Sequence, residues 1–116
     1  MSTNAKKWLA DRAAPPGMLA GGMRRPDGNL ICQTLDESYP VGKMEKILGQ
    51  FEGLHAEWSA SQPVPRWSTW TFEQGQIRFV ARPDGWVLGL VSRMDSAAQP
   101  QLDPLSQEFL SLPLDG

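Results

Sequence analysis

The apolar positions of this chain fall into one long helical stripe and several short extended runs. From Pro40 to Ala60, apolar residues recur at three- and four-residue spacing: Val41, Met44, Ile47, Leu48, Phe51, Leu54 and Trp58, with His55 at the margin. At about 100° per residue they share one face of a helix. Pro40 suits a first turn and Ser38 a cap. Before this helix, Met18–Arg24 and Asn29–Leu35 are short apolar runs joined by Pro26-Asp27-Gly28. This is hairpin chemistry, with proline presetting φ and glycine accepting a positive one. After it, Arg66–Glu73 is rich in aromatic and β-branched residues, Gly75 marks a turn, and Gln76–Ala81 alternates. A second Pro-Asp-Gly turn, at residues 83–85, leads into Trp86–Val91, whose nearly continuous apolar character reads as a central strand.

Short helices close both ends. Residues 5–13 place Trp8 and Leu9 on one side and stop at Pro15-Pro16. Asp103-Pro104 reads as a cap and first helical residue, with Leu105, Phe109 and Leu112 on one face and Pro113 as the stop. The order is α-β-β-α-β-β-β-α. An α+β fold with a five-stranded, mainly antiparallel sheet accommodates it as a single domain over residues 1–116, with its ordered core at about 5–112.

Composition narrows the function classes. Lys and Arg number 11 against 13 Asp and Glu, for a net charge of −2, so neither a nucleic-acid footprint nor a polybasic membrane anchor is expected. No apolar run is long enough to insert in a membrane, the N-terminus lacks a signal-peptide pattern, and a single cysteine leaves no internal disulfide. A cytoplasmic protein is the expectation. Cys32 lies in the apolar Leu30-Ile31-Cys32 stretch and reads as a buried structural thiol, without the electropositive setting that would activate it. His55 is the only histidine. Glu52 lies within one turn of it, yet its place beside the apolar stripe favours a packed, hydrogen-bonded role. Asp36-Glu37 suits the approach to a helix N-terminus and lacks companions for a metal. Neither Gly21-Gly22 nor Gly49–Gly53 belongs to a phosphate-binding pattern. No enzymatic activity, cofactor or metal is expected.

The opposite side of the long helix carries a line of small residues. Gly42, Gly49, Gly53, Ala56 and Ala60 fall within roughly 40° of one line, facing away from the apolar stripe. Each interior glycine costs about 1 kcal/mol relative to alanine. A row of small residues lets a second helix backbone approach closely. Lys46 and Glu57 flank this line and offer charges for pairing across it.

With these elements in place, the chain from about Ala5 to Leu112 resembles the Roadblock family, the dynein light-chain and small-GTPase-regulator family. The resemblance rests on Met18–Met23 with its glycines, the turn at Pro26-Asp27-Gly28, the helix from Val41 to Ala60, the strands around Pro83-Asp84-Gly85 and the closing Leu102–Leu112 segment. It implies a Roadblock/longin-like fold, with the long helix on one sheet face and both terminal helices on the other. It further implies a homodimer in which the third strands, with Trp67 and Trp70, pair to extend the sheet while the long helices lie side by side. The implied function is a non-enzymatic dimeric adaptor that binds or regulates a small Ras-like GTPase or a motor-associated protein. The alternative reading is a small-ligand sensor with a pocket lined by Trp58, Trp67, Trp70 or Trp86.

Leucine at both Gly49 and Gly53 separates a helix interface from a solvent-facing line. An isolated helix gains about 0.5 kcal/mol or more per site, whereas bulk inserted into a helix contact costs roughly 1–3 kcal/mol per site. The double variant is expected to keep its helical circular dichroism while self-association or partner binding weakens. A more stable, equally associating variant would show that the line faces only water.

Overall fold

A computed structural model describes residues 4–36, 42–50, 67–72, 75–82, 84–94 and 96–114. The elements are α1 (Ala5–Arg12), β1 (Met18–Arg24), β2 (Leu30–Thr34), α2 (described over 42–50), β3 (Trp67–Phe72), β4 (Gly75–Ala81), β5 (Val87–Arg93) and α3 (Leu102–Ser111). The five strands form one antiparallel sheet in the order β2-β1-β5-β4-β3. No helix among the described residues is long and apolar enough to cross a membrane.

Both Pro-Asp-Gly turns form as their residues dictate. In the first, the Gly28 amide donates to the Arg25 carbonyl at 2.9 Å and the Arg25 amide to the Asn29 carbonyl at 2.8 Å. Gly28 has φ 98°, a value that favours glycine. The Asp27 carboxylate accepts from the Asn29 amide at 2.9 Å. The second turn repeats the pattern between Arg82 and Trp86, with Gly85 at φ 99°.

The sheet is covered on both faces. On one, Trp8 and Leu9 of α1 and Leu102, Leu105 and Phe109 of α3 pack over Met23, Val80, Leu88 and Leu90. On the other, Met44 and Leu48 of α2 pack over Leu19, Phe79 and Val91. Gly22 and Gly89 stand directly opposite each other on β1 and β5. A Cβ at Gly22 would lie 3.1 Å from Leu48 and 3.2 Å from Met44, and one at Gly89 only 2.6 Å from Met44 and 3.0 Å from Leu48. The paired glycines therefore form the seat on which α2 rests, the close approach that glycine inside a strand permits.

Gly75 closes the reversal between β3 and β4, as expected, and is also the first residue of β4, opposite Phe72 and Arg93, where a Cβ would collide with the Ser92 carbonyl oxygen. One expectation is corrected. Asp103 is not the cap of α3. The helix grows out of a 3₁₀ turn at Gln99–Gln101 whose backbone bonds satisfy its entry, and Asp103 in the first turn accepts instead from Arg78 at 2.7 Å. At the other end, Arg82 donates to the carbonyls of Phe109 at 2.9 Å and Leu112 at 2.7 Å, supplying partners to the last carbonyls of α3. Burial would raise the Asp84 carboxyl, but hydrogen bonds from Arg82 and the Trp86 amide prevail and hold it below the usual range.

Glu108 joins the two terminal helices. Its carboxylate accepts from Trp8 Nε1 at 2.9 Å and from Arg12 Nη2 at 2.9 Å. The Arg12 hydrogen bond is the main cause that lowers the Glu108 carboxyl below its ordinary 4.5; burial opposes it and the Trp8 bond assists. A depressed carboxylate stabilises the fold above its unfolded value and loses that contribution as pH falls through the folded one. Wild type is therefore expected to lose melting temperature below about pH 4.5 more steeply than Glu108→Gln, which keeps an acceptor for Trp8. Solvent screening keeps the difference small for so exposed a pair, and parallel melting curves across that range would refute the linkage.

Candidate functional site

The outer side of α2 is open. Met44 and Leu48 turn inward, whereas Gly42, Lys46 and Gly49 are exposed, and a Cβ at either glycine would meet nothing within 4 Å. The first part of the small-residue line thus faces away from the sheet, as its spacing predicts. Gly53, Ala56 and Glu57, which continue it, lie outside the described residues, as do His55, Glu37, Ser38 and Trp58.

β3 is an edge strand. It pairs with β4 from Trp67↔Val80 to Phe72↔Gly75, and among the described residues no strand pairs with its other side. Its sequence, Trp67-Ser68-Thr69-Trp70-Thr71-Phe72, contains no charge and no proline. Protein edges are ordinarily guarded by such residues, and an unguarded one is a template for a further strand. Trp70 is 37% exposed and stands perpendicular to the Phe79 ring, with 6.4 Å between centroids. Its register partner is Ile77, which belongs to the cluster on the α2 side of the sheet. A large, half-open aromatic side chain therefore lies on the edge strand, on the same face as α2.

Of the candidate tryptophans, Trp70 and Trp86 have described side chains, and these two do not converge on a pocket. Trp86 is buried in the cluster under α1 and α3, with the Arg25 guanidinium 5.5 Å from its ring, while Trp70 is associated with the opposite face. The sheet separates them, so no cavity is lined by both. For Trp67 the backbone pairing with Val80 is defined.

Cys32 is half-buried on β2, opposite Gly22, rather than fully buried as its apolar neighbours suggested. Burial, assisted by the nearby charge of Glu45, pushes its thiol up to about 11. Such a thiol is protonated at neutral pH and is a poor nucleophile. Asp36 accepts from Arg93 at 2.7 Å, an ion pair that ties the end of β2 to β5. Among the described residues no group of three or more His, Cys, Asp or Glu could hold a metal ion.

The sequence reading missed Arg78, a charged residue only 8% exposed, at the middle of β4. Its alternating position predicts that it shares a face with Gln76 and Val80. Nothing local identifies its partners, which lie on β3 and α3. The Gly22–Gly89 seat was likewise missed, although glycine inside a strand pattern is a recognised signal for close backbone approach.

No family model matches the chain, and no curated protein matches it in sequence. Among solved structures it is similar to the Roadblock/LC7 domain from Streptomyces avermitilis, with a TM-score of 0.57 and 12% sequence identity over 93% of this chain and 94% of that one. The likeness spans nearly the whole of both chains. At that identity it is a statement about architecture, and with the five-stranded antiparallel sheet described above it shows that the chain has the Roadblock/LC7 fold.

Proposed function

We propose that the protein is a non-enzymatic adaptor that works as a homodimer, with the β3 strands of two copies pairing to extend the sheet. The observation that carries this reading is β3 itself, an uncharged strand at the edge of the sheet among the described residues, with Trp70 37% exposed on it. Two copies of an uncharged strand meet antiparallel without like-charge repulsion. Trp67 and Trp70 then lie at the seam. Tryptophan is among the residues that most often dominate association energies. On the same face, pairing at β3 leaves the outer side of α2 available. Gly42, Lys46 and Gly49 open this surface, and Gly53, Ala56 and Glu57 continue it in sequence. This is the surface for close helix contact and for a protein partner, and the resemblance to Roadblock proteins makes a small Ras-like GTPase or a motor-associated protein the partner class. A ligand-sensing role has less support, because Trp70 and Trp86 are on different faces.

Light scattering across a hundredfold dilution is expected to give twice the 12.8 kDa chain mass at high concentration. Thr71→Lys, which adds at the exposed edge the residue that natural sheets use to block pairing, is expected to shift the protein to a monomer with its circular dichroism unchanged. A 12.8 kDa species throughout for wild type would overturn the dimer.

The non-enzymatic reading has its own test at Cys32. A thiol at about 11 carries roughly a hundredfold less thiolate at pH 7.5 than an unperturbed cysteine. Alkylation by iodoacetamide is expected to be at least tenfold slower than for free cysteine and to accelerate only toward pH 10. Cys32→Ser should retain association and partner binding. Fast alkylation at neutral pH, or loss of binding in a folded Cys32→Ser protein, would show an active thiol.

A further inference from the structure

We propose that Arg78 is a strut that holds the edge strand β3 in line for pairing and ties it to α3, so that the edge and the helix act as one unit. The inference deepens the reading of β3 as the pairing edge and rests on it for the consequence on assembly. Arg78 stands directly opposite Thr69 in the β3–β4 register. Its Nε donates to Thr69 Oγ1 at 2.7 Å, and its Nη1 donates to Asp103 Oδ1 at 2.7 Å and to Ser106 Oγ at 3.2 Å. Ser106 is itself fixed, donating its hydroxyl to the Leu102 carbonyl at 2.6 Å. One planar guanidinium thus engages the outermost strand on one side and the first two turns of α3 on the other.

The arrangement matters because β3 has a strand neighbour on one side only among the described residues. An interior strand is aligned by two ladders; among the described residues β3 has one. A guanidinium presents its donors in a rigid fork, so the position of Asp103 and Ser106 dictates where the Thr69 hydroxyl sits. Burial makes the demand strict, since a shielded charge tolerates a lost partner poorly. Thr69 itself is exposed at the edge, with its hydroxyl turned to Arg78. A partner strand arriving at β3 therefore meets a backbone whose alignment α3 has already set.

Two substitutions at Thr69 distinguish this strut from ordinary strand propensity, because they predict opposite orders. Thr69→Ser keeps the acceptor and lowers β propensity; Thr69→Val keeps the β-branched shape and removes the acceptor. Amide exchange over β3 in dilute protein, and the dimer dissociation constant by light scattering, are measured for both. Thr69→Ser is expected to match wild type in each. Thr69→Val is expected to exchange about tenfold faster over β3 and to dimerise about tenfold more weakly, the scale of one hydrogen bond to a charged group. Asp103→Asn is expected to accelerate exchange in β3 as well as in the first turn of α3. Equal or better β3 protection in Thr69→Val overturns the strut. Faster exchange with an unchanged dissociation constant overturns its role in pairing. A wild type that is monomeric at every concentration refutes the pairing reading and the strut's consequence for assembly, while the exchange rates still decide whether the strut exists.

Discussion

A sheet that is apolar on both faces has to be covered twice, and that constraint organises this molecule. β5 is the strand that imposes it. Its Leu88 and Leu90 belong to one cluster and its Val91 to the other, and all three are fully buried. A chain of 116 residues meets the demand with two short helices on one side and α2 on the other. The α2 side is tight enough to require glycine at two facing strand positions, since Met44 and Leu48 occupy the space that side chains at Gly22 and Gly89 would take. Once both faces are used, the unsatisfied backbone of the sheet is confined to its edges. Interaction chemistry is therefore expected at an edge or on the outside of a helix.

The arginines show how the cover is held. Arg78 on β4 and Arg82, the residue after it ends, lie four residues apart and reach the two ends of α3, Arg78 at the first-turn carboxylate and Arg82 at the final carbonyls. Each engages the helix end whose character suits it: Asp103 belongs where a helix favours negative charge, and a cation belongs where the last carbonyls lack donors. Arg82 also lies 5.3 Å from the Phe109 ring and forms a two-point pair with Asp84. Arg12 serves the same end differently, joining α1 to α3 through Glu108. These charges have structural tasks.

Much of this was legible in the sequence because it depends on near neighbours. Pro26-Asp27-Gly28 and the matching turn at residues 83–85 act within five residues, and both hairpins form where they stand. The limits of β1 follow from Met18 to Arg24 lying between proline-rich punctuation and the first turn. The Met44 and Leu48 stripe indicates an inward face, and Gly42 and Gly49 an outward one. What sequence could not supply was anything settled across elements. Asp103 has the residue type of a cap, and only the preceding 3₁₀ turn, together with an arginine 25 positions upstream, explains why it is not one. Gly75 has the residue type of a turn, and only the Ser92 carbonyl crowding it shows that the neighbouring strand also leaves no room for a Cβ there. Cys32 has apolar neighbours in sequence, yet its strand lies at the margin of the sheet, so burial is incomplete.

The two edges of the sheet are not equivalent, and their difference argues for which one serves assembly. β2 is linked to the rest of the fold by side chains near both ends of its outer half: Gln33 donates to the Leu9 carbonyl of α1 at 2.6 Å, and Asp36 just beyond the strand pairs with Arg93. Those contacts draw β2 toward α1 on one side and toward the end of β5 on the other. β3 has an exposed tryptophan and two exposed threonines on a six-residue strand, with Arg78 aligning it from within. A longer strand offers more backbone groups to a partner, and an aromatic side chain that is already half-covered loses little rotamer freedom on association. The ordering cost of a β3 seam is thus lower than that of a β2 seam. The glycine side of α2 lies on the face that Trp70 shares, so a second copy docking at β3 would extend one surface from the strand to the helix.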